Sequence, residues 1–160
     1  MSGCFYFISD EFFERFPDKE LLKNKGMRNS NGGKRPCFLA FEDLEYSNIS
    51  WMIPISSKIE KYQAIQNYNF KKNGRCDIIH ISSLLGKQTA FVIQKMFPIT
   101  QRYIEEKYTI RKQENVRIQK DDEKEIIEKA NRILMLHKNK IPVITPDIDH
   151  ILKNLTEDME

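Results

Sequence analysis

Residues 51–58 read WMIPISSK, so an apolar run ends abruptly in two hydroxyls and a cation. A strand ending here would present Ser56, Ser57 and Lys58 at its tip. Hydroxyls and backbone N–H groups can hold a phosphate, above all where a helix begins, and a lysine can stabilise the charge that develops on it. The segment predicts a phosphate-handling site. The alternative is a plain helix cap, with Lys58 in solvent.

A second cationic cluster, GGKRP at residues 32–36, comes just before another apolar run. Its two glycines would let the backbone approach a phosphate closely, and Lys34 and Arg35 would supply charge. If the apolar run is a strand paired with the one that ends at Ser56, these charges face the same sheet edge as Lys58. An ordinary solvated turn is the alternative.

The net charge of +3 conceals a strong asymmetry along the chain. Residues 1–49 hold 7 Lys and Arg against 8 Asp and Glu, and residues 121–160 hold 6 against 10. Residues 50–120 hold 13 against 5, a net charge of +8. A basic segment of this kind is typical of a surface that binds a polyanion, because neutralising phosphates releases counterions. We therefore expect contact with nucleic acid.

The histidines and cysteines suggest no metal site. His80 alternates with Ile79 and Ile81 in a strand-like run, where it could transfer a proton or contact a base, or be structural. His137 and His150 are interpreted as structural. The three cysteines are odd in number and form no CxxC pair, so we expect buried thiols and neither a disulfide framework nor zinc.

The elements that must position these groups form an α+β pattern. Apolar runs predict strands over 4–8, 36–42, 49–55, 76–82 and 89–93, with the second and third antiparallel and a turn around Gly86 joining the last two. Ser9 is expected to cap a short helix ending before Pro17, and 17–35 to be a mobile loop. Short strands this close in sequence predict a small, strongly bent sheet or half-barrel.

Helices are expected around that sheet. One stretch is predicted between the strands at 49–55 and 76–82, before Gly74. Another runs from about 122 to 138, capped by Asp121 or Asp122, with an apolar face of Ile126, Ala130, Ile133, Leu134 and His137. The last is expected to use Thr145 as its cap and Pro146 as its first residue.

Composition excludes several classes. Hydrophobic residues make up 40% of the chain, too many for a disordered segment, and 160 residues suffice for one domain, predicted over 1–160. The start, MSGCFYFISDEFFERF, does not resemble a signal peptide, and no apolar run approaches the roughly 20 residues of a membrane span. We therefore expect a cytoplasmic protein that does not bind membranes. No glycine-rich nucleotide motif is present, and no cofactor is expected.

The sequence resembles the ToxN/AbiQ family of type III toxin-antitoxin endoribonucleases, most closely its CptN branch. The resemblance spans roughly residues 4–110 and rests on the order and spacing of several segments: Phe5-Tyr6-Phe7-Ile8-Ser9, Arg35-Pro36-Cys37-Phe38-Leu39, residues 51–57, Gly74-Arg75-Cys76-Asp77, Ala90-Phe91-Val92-Ile93-Gln94 and Pro98-Ile99-Thr100. It implies a bent antiparallel sheet like that of MazF/Kid toxins, sequence-selective RNA cleavage, and a small pseudoknot RNA as antitoxin. That RNA would be cut from a precursor and then close a protein-RNA hetero-oligomer.

The resemblance also suggests roles for particular residues. The family's hydroxyl pair falls on Ser56 and Ser57, its catalytic lysine is best represented by Lys58, and Arg35 is expected to bind phosphate. RNA cleavage without metal needs an activated 2′-hydroxyl, a stabilised phosphorane and a protonated 5′-oxygen, and it yields a 2′,3′-cyclic phosphate. The remaining RNA-binding candidates are residues of the basic segments: Lys34, Lys61, Arg75, His80, Gln94 and Lys95.

Two other functions are compatible with the sequence. A MazF-like toxin restrained by a protein antitoxin would need an apolar groove for a peptide, and the +8 segment argues against it. A non-catalytic RNA-binding module would stack bases on Trp51, Tyr62 or Tyr68 and hold the backbone with lysines. A purely structural role would make the Ser-Ser-Lys and Lys-Arg clusters coincidental.

Overall fold

The computed structural model describes residues 2–24, 35–111 and 114–159. Its strands are β1 (Phe5–Ile8), β2 (Pro36–Glu42), β3 (Ile49–Ser56), β4 (His80–Leu84), β5 (Lys87–Phe91), β6 (Phe97–Thr100), β7 (Ile104–Lys107), β8 (Thr109–Ile110) and β9 (Glu114–Asn115). Its helices are α1 (Asp10–Arg15), α2 (Ile59–Asn73), α3 (Lys120–Lys138) and α4 (Ile148–Glu157). Short 3-10 turns lie at Ile93–Lys95 and Gln101–Tyr103. Lys34, with Gly32 and Gly33, lies outside the described residues.

The main sheet bends because β3 changes partner along its length. Its order is β4-β5-β3-β2-β1-β7, and β6 also pairs with β3. Residues 49–52 of β3 pair with β6, whereas Ile55 and Ser56 pair with β5, and all of these pairings are antiparallel. The switch falls at Pro54, which has no N–H to donate but accepts a hydrogen bond from the N–H of Val92 at 2.9 Å. The predicted α+β fold with a bent antiparallel sheet is confirmed.

Apolar side chains cover both faces of the central strands, which is why β1 is buried throughout. Tyr6 and Ile8 point into a cluster with α1 and α4, while Phe5 points into a cluster with α3. A third, smaller cluster lies beneath α2, where Tyr62 packs with Ile79 and other apolar residues. The three clusters anchor the helices against the sheet.

Helix α2 follows β3 almost directly, so the end of the strand and the start of the helix form one corner. The helix ends where Gly74 adopts φ 75°, a left-handed conformation that favours glycine. The predicted helix before Gly74 is confirmed. So are the antiparallel β2–β3 pair, the turn at Gly86 between β4 and β5, and the Ser9 cap, whose hydroxyl accepts a hydrogen bond from the N–H of Glu11 at 3.0 Å.

Three predicted boundaries are wrong. β4 begins at His80 and not at residue 76, and α3 is capped by Gln119, so that Asp121 and Asp122 lie in its first turn. Thr145 does not cap α4, because its N–H and hydroxyl bond the carbonyl of Gln94 and hold this segment on the 3-10 turn. The cap is Asp147, whose side chain accepts from the N–H of His150 at 3.2 Å.

The segment 17–24 is irregular, as predicted, and side-chain contacts attach it to the rest of the protein. Asp18 accepts a hydrogen bond from the N–H of Asp147 at 2.8 Å, and the Asn24 amide donates to the carbonyl of Ile8 at 2.9 Å. The Asn24 side chain also accepts from the N–H of Arg35 at 3.1 Å, and this bond fixes the approach to β2. Within the described residues, no helix combines the length and apolar character that crossing a bilayer requires.

Candidate active site at the start of the second helix

The corner between β3 and α2 is held by two local hydrogen bonds. The Ser56 hydroxyl accepts from the N–H of Lys58 at 3.2 Å, and the Ser57 carbonyl accepts from the N–H of Ile59 at 2.8 Å. Ser56 is buried, with 7% of its surface exposed. Its hydroxyl therefore shapes the turn and faces the interior, while the next two residues turn outward.

Ser57 and Lys58 are both exposed at this corner. Among the described residues, no polar group bonds the Ser57 hydroxyl or the Lys58 ammonium. Nor does any acceptor in this part of the chain bond the backbone N–H of Glu60 or of Lys61. Unpaired N–H groups and the positive end of the helix dipole make a helix start attractive to anions. The corner can thus hold a phosphate, although the acid of Glu60 in the first turn weakens the positive field.

Arg35, the residue just before β2, brings a fixed positive charge to the same corner. Its Nη1 donates to the carbonyl oxygen of Ile55 at 2.6 Å, and its backbone N–H donates to Asn24 at 3.1 Å. Cys37 pairs with Pro54, so the register of the β2–β3 pair continues to Arg35 opposite Ser56. The prediction that these charges share one edge is confirmed for Arg35.

The electrostatic effect of Arg35 reaches the first turns of α2. Burial raises the pKa of the Tyr62 hydroxyl, while the nearby Arg35 charge opposes that rise. Lys61 lies next to Tyr62, exposed, with its Nζ 5.3 Å from the centre of the Tyr62 ring. Arg35, just before β2, and Lys61, on α2, are therefore both near Tyr62.

Other candidates lie elsewhere. Lys95 is largely buried and paired with Glu20, at 3.0 Å to the carboxylate and 3.1 Å to the carbonyl. The backbone of Gln94 bonds Ile78 and Thr145, which places it beside the segment that leads into α4. Arg75 follows the far end of α2 and pairs with Asp77 at 3.3 Å. The structure does not bring these three to the corner.

His80 belongs to the opposite face of the sheet. Across β4, β5 and β3, His80 pairs with Phe91 and Phe91 pairs with Ile55, so these three residues form one row. Ser56 pairs with Ala90 in the adjacent row. Neighbours in one row share a face, and successive rows alternate. His80 is 6% exposed, and Asp122 and Lys129 bond its two ring nitrogens at 2.9 Å and 3.2 Å. This placement matches the structural alternative for His80.

The cluster around His80 is a polar network that holds α3 on the sheet. Buried Lys129 donates to the carbonyl of Ile79 at 3.2 Å, and burial lowers the pKa of its ammonium. Because an ammonium only donates, His80 accepts at Nδ1 and donates from Nε2 to Asp122. His80, Asp122 and Glu125 have ligand atoms within 4.8 Å of one another, but Nε2 carries the proton donated to Asp122 and Nδ1 accepts from Lys129, so neither ring nitrogen has a lone pair left for a cation. Lys129 itself supplies the positive charge there.

Sequence reasoning missed this network, although Lys129 gave a signal. It lies on the same helical face as Ile126, Ala130 and Ile133, which are all buried. A lysine on an apolar stripe requires a buried partner. The partners come from β4, which is distant in sequence and cannot be inferred from the helix alone.

Comparison with known proteins identifies the fold. No family model and no curated protein matches the sequence. A solved structure matches with a TM-score of 0.68 over 99% of both chains. The fold is that of AbiQ. AbiQ is a lactococcal anti-phage endoribonuclease belonging to the type III toxin-antitoxin system, and its sequence is 13% identical to this one.

The likeness to AbiQ extends beyond the segments that carry the sequence resemblance. Those segments end near residue 110, whereas AbiQ matches the chain over nearly its whole length, α3 and α4 included. The two C-terminal helices are therefore part of the shared fold.

Proposed function

We propose that this chain is a metal-independent, sequence-selective endoribonuclease, the toxin of a type III toxin-antitoxin system. The observation that carries the proposal is the corner between β3 and α2. It exposes a hydroxyl and an ammonium at a helix start, next to the guanidinium of Arg35, in a chain with the fold of AbiQ.

The reaction is an internal transesterification of RNA. The 2′-hydroxyl loses its proton and its oxygen bonds the adjacent phosphorus, the bond from phosphorus to the 5′-oxygen breaks, and that oxygen takes up a proton. The products are a 2′,3′-cyclic phosphate and a 5′-hydroxyl. Negative charge grows on the phosphate oxygens in the transition state, so donors fixed around the phosphate accelerate the step.

Each residue of the corner has a separate role. The ammonium of Lys58 and the free N–H groups of Arg35 stabilise the phosphorane, and the Ser57 hydroxyl donates to one of its oxygens. Ser56 keeps the turn in shape through its bond to the N–H of Lys58. The RNA backbone is bound by Lys34, which is next to Arg35 in the sequence, by Lys61 in the first turn of α2, and by Arg75 just past the end of that helix.

RNA also serves as the inhibitor in this proposal. A small pseudoknot RNA is cut from its precursor, stays on the basic surface and closes a protein-RNA hetero-oligomer, whereas target mRNA is cut when that RNA is lost. The net charge of +8 over residues 50–120 supports an RNA partner for the toxin. The segments quoted from the sequence favour the CptN branch, and the likeness to AbiQ favours a role in phage defence.

The test is cleavage of bacterial RNA by purified, RNA-free protein in EDTA, with the chemistry of the new ends mapped. We expect cyclic phosphate and 5′-hydroxyl ends, lost with Ser57→Ala and Lys58→Ala and retained with Lys138→Ala, which removes an exposed lysine at the end of α3. Cleavage that needs a divalent ion, or none at all by folded protein, would contradict the proposal.

A second candidate is a toxin held by a protein antitoxin, which one surface favours. Apolar side chains from the end of β2, the following turn and α3 line a cavity of about 410 Å³, in which Leu44 is 99% and Met135 60% exposed. This cavity lies at the opposite end of β2 from Arg35, roughly 20 Å away at the rise of a strand. A peptide bound there would not cover the corner, so RNA remains the better inhibitor.

A further inference from the structure

One flank of α2 carries cations and an exposed aromatic ring in register. Lys61, Tyr68, Lys72 and Arg75 are separated by seven, four and three residues, which places them along one side of the helix and just past its end. All four residues are exposed. The stripe starts one turn after the corner that holds Ser57.

Tyr68 is an exposed ring on a helix surface, with 62% of its area in solvent. The Nζ of Lys72 lies 5.8 Å from its ring centre, so the ring and a cation form a pair. Trp51 and Tyr62, the other stacking candidates, are each 2% exposed, and the Trp51 indole donates to Asp43 at 2.9 Å. The prediction that Trp51 or Tyr62 stacks a base is therefore wrong.

The other flank of the helix differs in charge. Gln63 bonds Gln66 and Asn67 through their side-chain amides, at 3.2 Å in each case, and no lysine or arginine lies among these residues. Phe70 is also on that flank and is 49% exposed. A polyanion meeting α2 is therefore drawn to the flank of Lys61, Lys72 and Arg75.

We propose that Tyr68 and Lys72 form a base-stacking subsite for single-stranded RNA, lying along α2 from the cleaving corner. The inference rests on the proposed function and names how its substrate is held. Tyr68 is ten residues from Lys58, or about 15 Å along the helix, so the stacked base is a few nucleotides from the scissile phosphate. Lys61 and Arg75 neutralise phosphates on either side of that base.

The subsite selects for unpaired RNA. A base in a duplex has its faces covered, whereas an unpaired base can lie flat on an aromatic ring, and stacking tolerates any base. The ring thus sets which strands reach the corner, while sequence preference comes from contacts nearer the cut.

The experiment measures binding of fluorescently labelled single-stranded RNA oligonucleotides by anisotropy, using protein that carries Ser57→Ala to prevent cleavage. Each oligonucleotide has one abasic position, scanned along the strand. We expect Tyr68→Ala to weaken binding about 5- to 100-fold, and Tyr68→Phe about two-fold or less, because stacking needs the ring and not the hydroxyl. Phe70→Ala, an aromatic deletion on the other flank, is the matched control and should have little effect.

The decisive result is coupling between protein and RNA. One abasic position should weaken binding as much as Tyr68→Ala does, and the two changes together should cost no more than either alone. Equal losses at all positions, or additive losses in proteins whose circular dichroism is unchanged, would overturn the subsite. If coupling occurs but protein with Ser57 intact never cleaves, the subsite stands and the ribonuclease proposal fails. If the protein cleaves RNA but shows no coupling, the ribonuclease proposal stands and the subsite fails.

Discussion

The Nη1 of Arg35 donates a 2.6 Å hydrogen bond to the carbonyl oxygen of Ile55, the residue before the buried Ser56. This bond ties the start of β2 to the end of β3 at the point where α2 begins. It uses one of the five N–H groups of the guanidinium, and Nε donates a second to the carbonyl of Lys23 at 3.5 Å, so three remain available for an anion at the corner. The same side chain thus supports the backbone and supplies charge.

Substitutions of Arg35 therefore test whether cleavage needs only its positive charge or also the planar shape of its guanidinium. Arg35→Ala should lower kcat/KM for RNA cleavage about 100-fold, as expected when a fixed donor to the transition state is lost. Arg35→Lys should recover only part of this loss, because a lysine offers no planar fork that reaches both Ile55 and a phosphate.

Steady-state cleavage of a labelled oligonucleotide checks this prediction, below the melting temperature of each variant. Arg102→Ala is the control, since Arg102 is an exposed arginine paired with Glu11 elsewhere on the surface. Equal activity of the Arg35→Lys variant and the parent would show that charge alone suffices.

The two adjacent serines should behave differently. Ser57→Ala removes an exposed hydroxyl and should abolish cleavage with the melting temperature unchanged. Ser56→Ala removes the acceptor for the N–H of Lys58 and should cost about 1 kcal/mol of unfolding free energy while reducing kcat only several-fold. Melting curves and single-turnover rates measured on both variants test the pair, and the reverse pattern would assign the hydroxyl that donates to the phosphate to Ser56.

Much of the fold could be predicted because its signals are local. Residues 36–42 and 49–55 are continuous apolar runs separated by a polar turn, and Gly86 marks a hairpin. β6 and β7 gave no such signal. β6 contains Pro98, β7 contains two exposed acids, and both become strands only through pairing with β3 and β1, which lie far off in sequence.

The candidate site could likewise be predicted where its residues are close in sequence, and not where they are distant. Ser57 and Lys58 are adjacent in the chain, and Arg35 reaches them through a hairpin pairing that the pattern predicts. His80 differs, because its partners Asp122 and Lys129 are more than 40 residues away on α3. The alternation along the strand shows that His80 points to the opposite side of the sheet from its isoleucine neighbours. It does not show which helix covers that side.

The charge of the middle segment should appear in the salt dependence of RNA binding. Lys61→Gln should reduce the slope of log K against log salt by about 0.7, the value expected when a protein neutralises one phosphate fewer on a single strand. Lys124→Gln is the matched control, an exposed lysine within the acidic C-terminal part. Anisotropy titrations between low and moderate salt give both slopes, and equal slopes for the two variants would remove Lys61 from the RNA surface.

Acid stability should depend on Asp122. Burial alone would raise the pKa of this carboxyl, but hydrogen bonds from His80 and Ser82 and the nearby Lys129 charge hold it below its usual value. A carboxyl with a depressed folded pKa contributes stability that is present above its unfolded pKa of about 4 and is lost as the pH falls through the folded pKa. Asp122→Asn should therefore cost about 1 kcal/mol at pH 7 and make the unfolding free energy less dependent on pH below 4.

Urea unfolding at a series of pH values measures this dependence, with Asp149→Asn, an exposed acid, as control. Parallel pH curves for Asp122→Asn and the parent would mean that the carboxylate contributes nothing to holding α3.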